Sequence, residues 1–518
     1  MITHLTAGNI HARWGQMDQA KANLKWRSET YAGWTLPYVF PPENTKDDEL
    51  QQAFDSLGAR ATNNLSNKIA MILFNPYGAF FRLTLTQEIE SELELLPEEE
   101  RAKAKLMAET AFAKAEKGSM KELERMAYRT AAVMACKQLI ITGNSLIYHP
   151  DKGSAQTYSL RNYCVARDCE GVPVEIIMRD KKAFETFSPE VQEQIMISMG
   201  GPMYIRGQHQ DITIYTYVSL EPDGKYHVVQ STEHVLLKGT AIYPRKLLPW
   251  TPLTWNLVRG EDYGRGLVED YAGAFHALEI LNESLVTGAA IAADIKILLD
   301  PASGLDPEDL NRSPNGSYHV GREGDITYPQ LGKQQDFQLA QAIIDRLERS
   351  ISQAFMLMTT RDAERVTTVE IKRDAQELET SLGGIYSRLA EEWQGPCARL
   401  ILDRTDFNIG TERAVEPMII TGLDGLARIG DLDNIQLFIQ DLSLWEKVPE
   451  EARAWIKWAD FMRVCGNARG VDYTQFIMTE TEKKAADAYV LQQQQAMIAA
   501  QGQQDLTVAA GKQAMQES

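Results

Sequence analysis

One stretch of the chain has the composition of a phosphate-binding loop and is the first candidate for chemistry. Gly260, Gly264 and Gly266 follow a strand-like run and precede a helix with periodic apolar residues, an order of elements in which backbone amides can cradle phosphate. The spacing matches neither the dinucleotide fingerprint nor the P-loop, which also requires Lys followed by Ser or Thr. Glu269 and Asp270 fall in the first helical turn, where they would repel an anion. The sequence therefore argues against nucleotide binding.

Other residues with catalytic or metal-binding potential are scattered. The chain has eight His, and it contains neither a His-Glu-x-x-His nor a Gly-x-Ser-x-Gly motif. His209, His227 and His234 cluster only loosely around strand-like runs, where isolated histidines are usually structural. Among five cysteines only Cys164 and Cys169 are close in sequence, and no second pair completes a zinc pattern. We therefore expect reduced structural thiols, no metal, no cofactor and no enzymatic activity.

Composition indicates a globular chain that does not bind DNA tightly. Its 518 residues are 44% hydrophobic and 24% charged, which is enough for two to four domains with sizeable cores. No apolar run approaches the roughly 18 to 20 residues of a membrane span, and no secretory signal is visible, so we expect a cytosolic assembly. With 53 basic against 72 acidic residues the net charge is −19. This balance argues against extended phosphate contacts, but not against DNA that must slide.

The elements available to position a site are mainly helical. Helices are predicted at 9–36, about 51–73, 87–141 with interruptions near Pro97 and Gly118, 266–293, Asp336–Phe355, 423–442 and 449–466. Between them, short β-rich runs predict a small mixed sheet. These runs are 145–149, 157–166, 172–180, 211–219, 225–231 and 252–258, and two further β-like runs, Ile295–Leu299 and Ser317–Val320, lie in a turn-rich insert.

The first helical pattern mixes aromatic and basic residues. Trp14, Trp26, Tyr31 and Trp34 are interleaved with Lys and Arg, a composition that can stack on nucleic-acid bases. Their helical spacing favours a packing face instead.

The longest helical pattern runs from 366 to 404. Thr367 and Glu370 have the spacing of a capping box at its start. If helical throughout, it would extend roughly 58 Å. Gly383 and Gly384 lie near its middle, where residues without side chains make bending easy. The sequence therefore predicts a long, kinked helix.

Six phrases, in one order along the chain, resemble the portal protein, or head-tail connector, of short-tailed phages of the podovirus kind. They are Ala-Thr-Asn-Asn-Leu-Ser-Asn-Lys (61–68), Ile-Thr-Gly-Asn-Ser-Leu-Ile-Tyr (141–148), Asp-Tyr-Gly-Arg-Gly (262–266), Glu-Arg-Val-Thr (364–367), Leu-Gly-Gly-Ile-Tyr-Ser (382–387) and Ala-Val-Glu-Pro (414–417). The resemblance covers about residues 10–435, and neither end of the chain carries a matching phrase.

The resemblance implies a fold that is mainly α with a smaller α+β region, organised as wing, stem, clip and crown, and assembled as a ring. Its divisions would be 1–259 (N-terminal helices and mixed α/β wing), 260–294 (first stem helix), 295–334 (clip), 335–355 (second stem helix), 356–365 (tunnel loop), 366–422 (long kinked helix and wing return), 423–480 (crown) and 481–518 (Gln/Ala-rich C-terminal tail).

The resemblance also assigns residues to a central channel. A DNA-facing tunnel loop would present Met356, Met358, Thr360, Arg361, Asp362, Glu364 and Arg365. The tunnel wall would carry Arg346, Arg349, Lys372 and Arg373, with the helix kink at Gly383 and Gly384. Clip residues for docking would be Asp306, Glu308, Asp309, Arg312 and Arg322. Arg361 and Arg365, the only cations of the loop, could either touch phosphate or pair with acids between subunits, and both alternatives stay open.

The function implied by the resemblance is a ring at one capsid vertex through which double-stranded DNA is packaged and later ejected. Its partners would be eleven further copies, the terminase large subunit, a tail adaptor, major capsid, scaffolding and internal core proteins, and DNA without sequence specificity, with no membrane. The protein would assemble in the host cytoplasm and reside in the virion. Twelve copies would carry about −228 (12 × −19), and an acidic lumen would keep DNA from adhering. A non-portal helical scaffold or head-tail adaptor is the alternative, which the lack of a closed ring would distinguish.

Overall fold

The structure is a computed structural model of the chain. It describes residues 6–43, 50, 53–74, 79–85, 87–95, 97–198, 211–233, 235–237, 240–293, 298–301, 303, 305–314, 316–318, 320–322, 324–327, 334–357, 384–385, 387–405 and 415–419. All of these lie in the first of two units into which the chain divides, Met1–Gly422. The predictions for 423–442, 449–466, the crown and the C-terminal tail therefore fall outside the described residues.

Helices dominate the part of the chain that the structure describes. In chain order they are α1 (Ala7–Ala20), α2 (Ala22–Trp34), α3 (Leu57–Leu73), α4 (Gln87–Glu94), α5 (Glu98–Arg125), α6 (Tyr128–Thr142), α7 (Pro189–Ser198), α8 (Leu267–Asp270), α9 (Ala272–Ala293), α10 (Pro307–Arg312), α11 (Gln334–Ala354) and α12 (Gly395–Arg404). Among these residues, no helix combines the length and apolarity that a membrane crossing requires.

The strands pair antiparallel in four groups. They are β1 (Phe81–Leu85), β2 (Asn144–Tyr148), β3 (Gln156–Tyr158), β4 (Tyr163–Arg167), β5 (Pro173–Ala183), β6 (Asp211–Leu220), β7 (Lys225–Thr232), β8 (Ala241–Pro244), β9 (Trp250–Thr254), β10 (Leu298–Leu299), β11 (Ile326–Thr327) and β12 (Val415–Ile419). A five-stranded meander has the order β4-β5-β6-β7-β8, a three-stranded sheet has the order β3-β2-β9, and β1-β12 and β10-β11 form two-stranded pairs.

The prediction of one mixed sheet is therefore wrong, because the described strands form separate antiparallel sheets. The run 157–166 divides into two strands at a turn in which Asn162 N donates to Ser159 O at 2.8 Å. β1 and β8 were not predicted. In the insert, Leu298–Leu299 pairs with Ile326–Thr327, so the β-like run predicted at 317–320 is not a strand in its described residues.

The predicted first helix is two helices, which meet at Lys21. Burial explains the break, because Lys21 is only 2% exposed. Its Nζ donates to Leu160 O at 2.6 Å and to Tyr163 O at 2.5 Å, beside the ring of Trp14. Burial lowers the pKa of the Lys21 ammonium. The lysine thus ties the joint between α1 and α2 to the five-stranded sheet.

Packing is confirmed as the role of most aromatic residues in these two helices. Trp14 and Tyr31 are buried and Trp34 is half-buried, whereas Trp26 is exposed. Trp14 lies against Tyr215 of β6, with ring centroids 5.8 Å apart.

Two further helix boundaries differ from the predictions. Gly118 does not interrupt α5, because the helix continues through it to Arg125. A side chain at this position would meet nothing within 4 Å. The break instead falls at Ala127, which has a left-handed φ of 47° and leads into the fully buried Tyr128. α3 begins later than predicted, at Leu57, where Asp55 Oδ1 accepts from the backbone N of Leu57 at 3.1 Å.

One hydrophobic core joins the helices to the three-stranded sheet and to part of the five-stranded sheet. It contains side chains from α2, α3, α5, α6, α8, α9, α11, α12, β1, β2, β4, β5, β6, β7 and β9. A smaller core lies between α1 and the five-stranded sheet, around Ile10, Trp14, Ile177 and Tyr217. The sheet is held further by Arg13, whose Nη2 lies 2.7 Å from Oε2 of the buried Glu175.

Candidate functional site

The predicted stem is an antiparallel pair of helices, α9 and α11. At one end the ring of Phe337 lies so close to Gly288 that a Cβ there would be 2.8 Å from a ring carbon. At the other end the ring of Phe355 lies 6.0 Å from Tyr271 and 5.7 Å from Phe275. Glycine at 288 therefore leaves room for the Phe337 ring, which a larger residue would displace.

Only one end of this helix pair is buried. Phe275, Leu278, Ile344 and Ile351 are buried in the main core. Other large apolar side chains on the pair are exposed: Ile280 by 48%, Val286 by 52%, Ile291 by 57%, Leu339 by 64% and Ile343 by 42%. Clustered exposed apolar residues mark surfaces for partners. The fold of the described residues leaves these five side chains in water.

The two predicted tunnel-wall arginines within the described residues lie on α11. Arg346 and Arg349 are exposed, and Arg349 Nε donates to the carbonyl of Asp345 at 3.0 Å. Lys372 and Arg373 lie outside the described residues.

Met356 is the member of the predicted tunnel loop whose place is described. Its side chain is 5% exposed and packs in the main core, so it is a poor candidate for a side chain that faces DNA. The remaining members, Met358, Thr360, Arg361, Asp362, Glu364 and Arg365, lie outside the described residues.

The predicted clip residues form small local networks on an exposed surface. Asp306 caps α10, since its Oδ1 accepts from Glu308 N at 2.9 Å. Arg312 Nη2 lies 3.1 Å from Glu308 Oε2 one turn away, and the backbone N of Arg322 donates to Asp325 Oδ2 at 2.6 Å.

The clip also presents two apolar side chains that the sequence did not single out. Asp309, with the other named acids, is exposed. In the same insert Tyr318 and Val320 are almost completely exposed. Exposed large apolar residues of this kind are candidates for contact with a partner.

The predicted kink is tested only at its second residue. Gly384 is helical and exposed, and Gly383 lies outside the described residues. The irregularity that the structure does describe is a π-helical turn, Ala390–Gln394, immediately before α12. π-turns insert an extra residue and change the facing of the side chains around them.

The π-helical turn directs three successive side chains to three different elements. Glu392 Oε2 accepts from Thr254 Oγ1 of β9 at 3.3 Å. Trp393 Nε1 donates to the hydroxyl of Tyr128 in α6 at 2.7 Å, and Gln394 Nε2 donates to the carbonyl of Leu73 in α3 at 2.5 Å. The turn that leads into α12 is therefore fixed to three parts of the core.

A buried polar chain continues from Trp393 to His149. Pro249 O can only accept, so the 3.2 Å contact assigns the hydrogen to His149 Nδ1. His149 Nε2 then accepts from the Tyr128 hydroxyl at 3.0 Å. Burial, together with the nearby Arg404 guanidinium, lowers the pKa of His149 to about 4. The imidazole is therefore neutral at physiological pH.

The glycine loop packs against backbone instead of forming a phosphate site. Asn144 Nδ2 donates to Gly264 O at 2.8 Å, and Gly264 N donates to Asn144 Oδ1 at 2.8 Å. A Cβ on Gly266 would lie 2.7 Å from the carbonyl oxygen of Ile140, and Gly143 has a φ of 76°. Two of the six matching phrases, 141–148 and 262–266, thus meet in space, which supports the argument against nucleotide binding.

The thiols behave as structural residues. Cys136, Cys164 and Cys397 are buried and Cys169 is exposed, all as free thiols. Burial raises the pKa of the Cys397 thiol to about 12 and raises that of Cys136 and Cys164 as well, which makes them poor nucleophiles. Within the described ranges, no group of His, Cys, Asp and Glu is arranged to hold a metal ion.

Three structurally prominent residues were not selected from the sequence. Asn64 and Lys68 both contact the carbonyl of Met356, and they lie in the phrase 61–68, so the resemblance contained the signal. His149 ends a predicted strand, and nothing in its local sequence marks it as the centre of a buried network.

Comparisons with known proteins agree over most of the chain. The family described as "Bacteriophage head to tail connecting protein" matches residues 7–477. The portal protein of Enterobacteria phage SP6 is 36% identical over 452 residues, 87% of this chain and 86% of that relative. The portal proteins of Enterobacteria phage T3 and Escherichia phage T7 are 32% and 31% identical, each over 93% of this chain and 90% of the relative.

Solved structures of gene transfer agent (GTA) particles also align with the chain. A chain from the neck of an empty GTA particle, computed with C6 symmetry, aligns over 80% of this chain and 90% of its own length at a TM-score of 0.37 and 12% identity. One from the native neck, computed with C12 symmetry, gives a TM-score of 0.36 at 11% identity over 80% and 89%. At these TM-scores the likeness carries no argument about this chain.

Proposed function

We infer that this chain, which belongs to the family of bacteriophage head-to-tail connecting proteins, is a portal subunit. The observation that carries the inference is the alignment with portal proteins over most of both chains. A ring of these subunits occupies one vertex of the capsid. Double-stranded DNA enters through its channel during packaging and leaves through it at infection. The chain is structural and not an enzyme, so ATP hydrolysis belongs to the separate terminase motor.

The ring is a homododecamer whose stem helices pack side by side. The exposed apolar residues of α9 and α11 support this proposal, because two helices alone leave them in water. Leu339 and Ile343 lie one turn apart on the same face of α11, 64% and 42% exposed. In a closed ring each such face meets the next subunit, and every copy buries the same surface.

The channel wall combines α11, the loop that follows it and the start of the long helix. Arg346 and Arg349 are exposed and are proposed to lie here, with Lys372 and Arg373 beside them. Arg346 shares a helical face with Leu339 and Ile343, so it would lie at the edge between the channel and the next subunit. The DNA-facing loop consists of the residues after Met356, including Arg361 and Arg365. With twelve copies at −19 each the ring carries about −228. This net charge repels DNA as a whole, so the cations of the wall and loop would touch phosphate only transiently while the DNA slides.

The clip is the docking surface for partners outside the capsid. The exposed acidic groups Asp306, Glu308 and Asp309 and the apolar Tyr318 and Val320 support this proposal. Its successive partners are the terminase large subunit and a tail adaptor. The wing and crown meet the major capsid, scaffolding and internal core proteins, first in the host cytoplasm and then in the virion.

The mass of the assembled particle tests this proposal. Twelve subunits of 58.2 kDa give about 698 kDa (12 × 58.2). Leu339→Lys with Ile343→Lys should shift the particle mass towards a single chain, because burying an unpaired lysine at an interface is costly. Gln341→Lys, two residues along on another exposed face, is the matched control and should leave the ring intact.

Two outcomes of the mass measurement would contradict the ring. One is a wild-type chain that stays monomeric over a range of concentration and salt. The other is a double-lysine variant that assembles as well as the Gln341→Lys control. Either result would favour the alternative function, a helical scaffold or adaptor without a channel.

A further inference from the structure

The C-terminal end of α11 has a defined cap. Leu357 N donates to Ser352 O at 2.8 Å, and Met356 N donates to Gln353 O at 3.1 Å. These two bonds form a Schellman motif, which places its penultimate residue in the left-handed region. Here that residue is Met356, with a φ of 51°.

Methionine at this position is unusual, because the left-handed conformation favours glycine. The side chain of Met356 compensates for the strain, since it is 5% exposed and packs in the main core. Phe355, immediately before it, is completely buried between Tyr271 and Phe275. The end of α11 is therefore fixed on its side-chain face.

The backbone of the same residue is fixed from the opposite direction. Met356 O accepts from Asn64 Nδ2 at 3.0 Å and from Lys68 Nζ at 3.2 Å. Asn64 and Lys68 lie four residues apart, on one face of α3. The ammonium of Lys68 also lies at the C-terminal, partly negative end of α11, where a cation is favourable.

We propose that Asn64 and Lys68 are positioning residues for the channel. They hold the peptide through which the chain leaves α11, and thereby fix the point from which the proposed DNA-facing loop begins. The inference rests on the proposed function for its consequence, which is control of how DNA is held. We call the two hydrogen bonds from Asn64 and Lys68 to Met356 O the clamp. Because the clamp is local, its effect on the chain that follows α11 can be measured without an assembled ring.

Limited proteolysis of the purified full chain tests the clamp directly. Trypsin cleavage after Arg365, nine residues beyond Met356, is compared between wild type and Asn64→Leu with Lys68→Met. Loss of both donors should raise the initial cleavage rate about tenfold, because each lost bond to a charged or buried group favours local opening. Cleavage after the exposed Lys152, in a turn of another region, should be unchanged.

Matched variants separate positioning from general stability. Lys137→Met removes a similar bond, from Lys137 Nζ to the Tyr38 hydroxyl at 3.0 Å, and should cleave like wild type. The single variant Lys68→Arg keeps the positive charge and should be cleaved after Arg365 as slowly as wild type. If the double variant is also cleaved faster after Lys152, it is destabilised globally, and the single variant Lys68→Gln is measured instead. Faster cleavage of that variant after Arg365, with unchanged cleavage after Lys152, supports the positioning role, whereas unchanged cleavage after Arg365 overturns it.

If the folded double variant Asn64→Leu with Lys68→Met is cleaved after Arg365 at the wild-type rate, the clamp is overturned. In assembled capsids the clamp variant should retain less DNA per particle than Lys137→Met, at equal ring yield. Equal retention would overturn the proposed consequence for the channel. Failure of the wild-type chain to form rings would instead contradict the proposed function, and the cleavage result would still judge the clamp.

Discussion

Protonation of His149 should control much of the acid sensitivity of this protein. The imidazole is completely buried, and its two nitrogens are occupied by Pro249 O and the Tyr128 hydroxyl. Burial, reinforced by the guanidinium of Arg404, lowers its pKa from 6.5 to about 4. The remaining neighbours that titrate, Tyr128 and Cys397, have pKa values raised by burial and stay neutral in this range.

The direction of the effect follows from the lowered pKa of His149. As pH falls below 6.5 the unfolded chain binds a proton that the folded chain refuses, so stability is lost until about pH 4, where the folded state is protonated too. The difference of about 2.5 between the pKa of His149 in the unfolded chain and in the folded chain corresponds to about 3 kcal/mol in total and about 2 kcal/mol between pH 8 and pH 5. Above pH 6.5 the contribution is fully present.

Urea unfolding followed by tryptophan fluorescence measures this contribution. Midpoints are recorded from pH 8 to pH 4.5 at one protein concentration, since assembly adds stability by mass action. His149→Gln cannot titrate but keeps a donor and an acceptor, so it should start less stable and lose about 2 kcal/mol less than wild type by pH 5. The exposed His276→Gln is the control and should keep the wild-type slope. Equal pH dependence of His149→Gln and wild type would refute the reasoning.

The remaining predictions concern the glycine loop and the proposed DNA-facing loop. Gly266→Ala should destabilise the chain by about 3 kcal/mol or prevent folding, because its Cβ would lie 2.7 Å from Ile140 O. Thermal melting checks this against Gly273→Ala, which has open space within 4 Å, and equal melting of the two variants would contradict the packing argument. Arg361→Ala with Arg365→Ala should leave rings intact and alter the DNA retained per particle. Loss of the ring would show that these arginines pair between subunits.

The sequence predicted helices well wherever one apolar face controls them. The helices predicted at 51–73, 266–293 and 336–355 are confirmed in type as α3, α8 with α9, and α11, although α3 begins only at Leu57. Each contributes part of its apolar stripe to the main core. The break at Lys21 could not be predicted, because lysine is usually a surface residue. Only the fold brings Leu160 O and Tyr163 O to its ammonium group. Ala127 likewise adopts φ 47° for a tertiary reason, the burial of Tyr128.

Strands were harder to predict because their partners are distant in sequence. β1 pairs with β12 across more than three hundred residues, and no local pattern reveals such a pairing. The short β10 pairs with Ile326–Thr327, whereas the sequence placed the second β-like run at 317–320.

The candidate site was predicted by resemblance more than by physical reasoning from single residues. The family assignment is confirmed, and exposure of Arg346 and Arg349 fits their predicted place. Met356 shows the limit of prediction by resemblance. Its assignment to the tunnel loop does not reveal that its side chain packs in the main core. Asn64 and Lys68 act on a backbone carbonyl almost three hundred residues away, a contact that only the fold creates.

Negative-stain electron microscopy of the purified protein tests the central claim most directly. The account predicts end-on views with a central hole, close to twelve-fold symmetry, and side views with a narrow stem. A uniformly monomeric or filamentous preparation, over a range of protein concentration and salt, would contradict the closed channel.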